Sequence, residues 1–165
     1  MFSSLANLFQ VQPKKVSFED MQYAISHTDS FFIINTLSVH EQDCLIKHTL
    51  DFHLEEQIIN DLLKNYTTKT HKIILYGKHC NDTSVDKKYS QLLGLGFSEV
   101  YIYGGGLFEW LLLQDIYGDD EFPTTRKMLD ILKYKPPRLF GIRQIGFYTN
   151  EEIKRDEARF ISSWS

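Results

Sequence analysis

The segment KIILYG, residues 72–77, is an unbroken run of apolar and β-branched side chains that is too short for a buried helix. It has none of the alternating polar positions that a strand facing water on one side would carry. Such a strand is covered on both faces, the situation of a parallel sheet lying between helices. FFIINTL (31–37) repeats the pattern, EVYIY (99–103) reads as another strand, and TLDFHL (49–54) reads as a weaker one.

Between these runs the period changes from two to 3.6. VSFEDMQYAI places Ser17 three residues ahead of Asp20, a capping-box pattern that opens a helix near 18–26. EEQIINDLLKNY spaces Ile58, Ile59, Leu62, Leu63 and Tyr66 along one helical face behind two acidic residues. SVDKKYSQLLGLGF is a helix stopped by Gly94 and Gly96, and LFEWLLLQDIYG a helix closed by Gly118. Strand and helix alternating in this way predict an α/β domain, with a mainly parallel sheet, right-handed crossovers and helices on both faces.

The chain's 165 residues suffice for one core without disulfides or metal. Residues 1–15 read as an N-terminal extension, 16–135 as the domain, and 136–165 as a C-terminal extension beginning at Pro136-Pro137. In that extension FGIRQIGFY offers Phe140, Ile142, Ile145 and Phe147 as apolar anchors, and TNEEIKRDEARF reads as a helix capped by Asn150. A formal charge of −4 supplies no basic field for nucleic acid. No stretch of ~18 apolar residues is present, so no membrane span is expected and the chain is read as soluble. The two cysteines, Cys44 and Cys80, have neither a disulfide framework nor zinc spacing, which favours a reducing intracellular setting, the cytoplasm. The six histidines form no chelating pair, so neither metal nor cofactor is expected.

The run KIILYG…QLLGLGFSEVYIYGGGLFEW resembles the second half of a rhodanese-like domain. VSFEDM, FFIINTL and CLIKHTLDFHLEE resemble, more loosely, that domain's opening strand and helix, its second strand and the approach to its third. The likeness covers Val16 to Phe122. It implies a sulfurtransferase fold in which a loop after the central strand carries a cysteine that accepts sulfane sulfur as a persulfide. Chemically that loop needs a thiolate, with backbone N–H groups and a helix N-terminus holding an anion.

The corresponding loop here is Gly77, Lys78, His79, Cys80, Asn81, Asp82, Thr83 and Ser84. Aligned from the strand, Gly77 occupies the place of the family's cysteine. Aligned backwards from Gly96, Cys80 falls about one residue from it. The acidic residue, Arg and Gly-His pair that the resemblance implies elsewhere correspond to Asn35, Leu37 and Cys44-Leu45. The loop has no Arg, and Asp82 adds negative charge where an anionic donor needs positive. His79-Cys80 is also similar to the start of a cysteine phosphatase loop, but the Arg that would grip phosphate six positions later is Asp86.

The reading is therefore a single rhodanese-like domain without catalysis, a binding or structural module for a protein partner or a small anion. The alternative is an active sulfurtransferase using Cys80, activated by Lys78, His79 and the following helix. Cys44 reads as a small buried hydrophobe. Gly104, Gly105 and Gly106 let the chain reverse between strand and helix, with Trp110 packed beneath, and GDDEF reads as a solvated loop.

Overall fold

A computed structural model describes residues 12–141. The sheet has four strands, β1 (Lys15–Val16), β2 (Phe31–Asn35), β3 (Lys72–Tyr76) and β4 (Val100–Tyr103), in the order β1-β4-β3-β2. Every pairing is parallel, with Ile33 beside Ile74 and Ile74 beside Tyr101. The helices are α1 (Phe18–Ser26), α2 (Phe52–Lys64), α3 (Ser84–Gly94) and α4 (Gly106–Tyr117).

The pleat sends alternate strand residues to two separate cores. Ile33, Ile74, Tyr76 and Tyr103 pack with Met21 and Ala24 of α1 and with Leu107, Trp110 and Leu111 of α4. Ile34, Ile73, Leu75, Val100 and Ile102 pack on the other side with Ile59 of α2 and Val85, Tyr89 and Leu92 of α3. A strand lined on both sides has no polar face to show, hence the unbroken apolar runs.

The caps act where the sequence places them. The Ser17 hydroxyl accepts from the Asp20 N–H, and the Asp20 carboxylate accepts from the Ser17 N–H at 2.8 Å. Gly96 and Gly118 both have φ of +99°, which releases the chain after α3 and α4.

Two expectations are corrected. The strand expected at 49–54 is reduced to one parallel bridge, Ile33 to Thr49, with the Leu50 N–H donating to the Ile33 carbonyl. Asp51 then accepts from the His53 N–H at 2.8 Å and starts α2 at Phe52, so capping wins over a short apolar pattern. The strand expected over 31–37 ends at Asn35, because the Asn35 side chain accepts from the Leu37 N–H and turns the chain. It is the outermost strand of the ladder.

The apolar anchors Ile142, Ile145 and Phe147 and the helix expected after Asn150 lie outside the described residues. Among the described residues no helix is long and apolar enough to cross a membrane.

Candidate functional site

The helices change face between β3 and β4, since α3 returns on one side of the sheet and α4 on the other. The loops that leave these two strands therefore diverge, and an open parallel sheet holds ligands in that cleft. Here the cleft is a recess of about 270 Å³ lined by Lys15, Gly77, His79, Cys80, Asp82, Asp86 and Tyr103 among others.

The loop between β3 and α3 is organised by Asp82. One carboxylate oxygen accepts from the Lys78 N–H at 2.9 Å, and the other from the Ser84 N–H at 3.0 Å and the Ser84 hydroxyl at 2.6 Å. Burial pushes the Asp82 carboxyl up, but these hydrogen bonds and the nearby His79 outweigh it and hold the group below its ordinary value. Two further loop N–H groups are also used internally: Asp82 donates to the His79 carbonyl and Asn81 to His79 Nδ1. Thr83 precedes α3 without a capping hydrogen bond, so Asp82 does the capping from one residue further out.

Gly77 lies directly under this carboxylate. A Cβ there would sit 2.6 Å from both Asp82 Oδ2 and Val85 Cγ2. The place that the alignment from the strand gives to a cysteine thus holds neither a nucleophile nor room for one.

Cys80 is exposed, and its thiol donates to the Asn81 side-chain oxygen Oδ1 at 3.7 Å. Lys78 turns away from it to an ion pair with Glu41 at 2.5 Å, over the ring of Tyr134. That contact, followed by burial acting the other way and a hydrogen bond from Ser38, leaves Glu41 below its ordinary value. Cys44 is buried, donates to the Arg126 carbonyl, and has its thiol pKa raised by burial.

The glycine turn closes the site from β4. Gly106 has φ of +67°, and a Cβ there would meet the Gly77 carbonyl at 2.8 Å and the His79 nitrogen at 2.9 Å. This close approach lets Leu107 and Phe108 donate to the carbonyls of Gly77 and Lys78, both at 2.9 Å. The first turn of α4 is thereby satisfied by the chain itself. Gly105 caps that helix, and Trp110 beneath it is wholly buried, edge-on to Tyr103 and Phe122, with its indole N–H donating to the Pro123 carbonyl.

Of the loop candidates, Gly77, His79, Cys80 and Asp82 line the recess, whereas Lys78 pairs with Glu41, Ser84 holds the Asp82 carboxylate, and Asn81 and Thr83 are exposed; Gly106 lies against the loop, with Gly105 and Trp110 behind it. The reading of the sequence missed Glu41, whose partner Lys78 is distant in the chain, and the place of Lys15 and Tyr103 on the recess wall. It also took Asp82 for a repelling charge rather than an acceptor, although Asp82-Thr83-Ser84 ahead of an amphipathic run is itself a capping signal. Among the described residues no group of three or more His, Cys, Asp or Glu could hold a metal ion.

No family model matches the chain, and no curated protein matches its sequence. Its fold is similar to that of Ygr203w, a yeast protein tyrosine phosphatase of the Rhodanese family. The TM-score is 0.52 at 14% identity, over 73% of this chain and 97% of that one. BH2092 from Bacillus halodurans gives 0.50 at 17% identity, over 70% and 82%. The rhodanese-like domain of Alr3790 from Anabaena gives 0.48 at 18% identity, over 85% and 96%. The chain has the rhodanese-like fold.

Proposed function

We propose that this chain is a rhodanese-like module that works by binding and carries out no sulfur transfer. One observation carries the reading: the loop that would cradle an incoming anion already holds one, the Asp82 carboxylate, above a glycine that has no room for a side chain. An anionic donor would have to displace a covalently tethered acceptor and then approach like charge. The same plug favours a protein partner over a small anion, met at the carboxyl edge of the sheet around Lys78, His79 and Cys80. Both cysteines are free, which supports a reducing, intracellular setting.

The second reading is a sulfurtransferase using Cys80, and it rests on the exposure of that thiol at the recess beside His79. Its thiolate would attack the outer sulfur of thiosulfate, forming a persulfide and releasing sulfite. A phosphatase reading, prompted by His79-Cys80, is disfavoured by Asp86, a carboxylate where a phosphate-gripping Arg is required.

Mass spectrometry after incubation with excess thiosulfate separates the two readings. The binding module gains no sulfur. A gain of one sulfur that disappears in Cys80→Ser, with turnover to a thiol acceptor, makes the sulfurtransferase reading correct.

A further inference from the structure

A second hollow, of about 670 Å³, opens on the carboxyl edge of the sheet towards β2, whereas the recess at Cys80 opens towards β4. Its volume lies within the roughly 300–1,000 Å³ of ligand-binding clefts. Local sequence signals build it in three parts. The turn made by Asn35 ends β2 and leaves Thr36 and the buried Leu37 as the floor, where the Ser84 hydroxyl donates to that of Thr36 at 2.7 Å. The Asp51 cap starts α2 and sets Phe52, His53, Glu55 and Glu56 along one wall. The other wall is a single helical face of α3, where Ser84, Lys87, Lys88 and Gln91 stand at i, i+3, i+4 and i+7 while Val85, Tyr89 and Leu92 turn into the core.

The two walls carry opposite charge. Glu55 and Glu56 belong to α2, and Lys87 and Lys88 to α3. Lys88 pairs with Glu55 and ties the walls together. Glu56 and Lys87 have no ion-pair partner among the described residues. Phe52, 43% exposed, adds an apolar surface in the same hollow. A ligand of one sign gains at one wall what it loses at the other, so this lining favours a ligand that carries both signs.

We infer that this groove binds an extended peptide segment of a partner protein in which an apolar side chain lies between an acidic and a basic one. The basic side chain meets Glu56, the acidic one meets Lys87, and the apolar one lies on Phe52. A groove open to solvent between two helices suits a segment several residues long better than an enclosed small molecule. The groove and the Cys80 recess are separate, so the inference stands whether or not Cys80 reacts.

Three capped pentapeptides test it by amide chemical-shift titration of the full-length chain: acetyl-Gly-Glu-Phe-Lys-Gly-amide and its Lys-Phe-Lys and Glu-Phe-Glu counterparts. In the wild type the mixed-charge peptide should shift amides of residues 52–56 and 84–91 saturably, and bind about five-fold more tightly than either like-charged peptide. Lys87→Glu makes both walls acidic and should move the preference to Lys-Phe-Lys. Glu56→Lys makes both walls basic and should move it to Glu-Phe-Glu. Both side chains are exposed, so the fold is kept, with unchanged far-UV circular dichroism as the check. Phe52→Ala should weaken all three peptides several-fold. Preferences that do not follow the wall charges would overturn the inference, as would the absence of saturable shifts with any peptide at millimolar concentration. Shifts confined to residues 77–83 would also overturn it, by placing the peptide at the Cys80 recess.

Discussion

On the proposed reading, the side chain at position 82 takes the place of a bound anion. The carboxylate takes hydrogen bonds from two backbone N–H groups and one hydroxyl, so Asp82→Asn, which replaces one acceptor oxygen with a donor, should cost about 1–2 kcal/mol of stability. The folded-state pKa of Asp82 is depressed, so its contribution is present above the unfolded value, near 4, and is lost as pH falls through the folded value. Urea midpoints should therefore differ between wild type and variant at pH 7 and converge in acid below about pH 4; a gap that persists or widens there would contradict the role. Gly77→Cys alone should destabilise the chain by about 1–3 kcal/mol, because the new Cβ overlaps Asp82 and Val85. Combining it with Asp82→Gly should recover part of that loss, whereas simple additivity of the two changes would refute the overlap. The glycine that follows β3 and the loop without an Arg were both legible, since each is a residue type at a counted position. That Asp82 fills the loop was not, because the fact depends on where Lys78 and Ser84 point their N–H groups.

Among the elements, the helices and three of the strands could be read because their signals are local. The Ser17–Asp20 capping box closes within one turn, and Ser17→Ala should cost about 1 kcal/mol in urea unfolding. The segment 49–54 misled because Leu50, Phe52 and Leu54 alternate like a strand while Asp51 caps a helix. Periodicity over six residues cannot outweigh a satisfied cap followed by thirteen residues of helix. Strand β2 stops early for a similar reason, the side chain of Asn35 bonding its own backbone. In α4, Trp110→Ala should cost about 3–5 kcal/mol, since the ring is fully buried between Tyr103 and Phe122. A cost under about 1 kcal/mol would show that α4 is not anchored through this residue.

Across the whole molecule, two cores on opposite sides of a parallel sheet fix where β3 and β4 release their chains, and hence where the cleft opens. The architecture keeps the recess while the chain fills its anion-holding groups with Asp82 and with the carbonyls that meet α4. On the proposed reading, a recess whose loop is filled from within suits a module that works by its surface. The most direct measurement follows the backbone amide resonances of Lys78 and Ser84 while thiosulfate is added. With the loop already occupied, both stay unmoved in the wild type through millimolar additions, and both begin to shift in Asp82→Asn. Saturable movement of the two resonances together in the wild type would mean that the loop accepts an external anion, and would contradict the account.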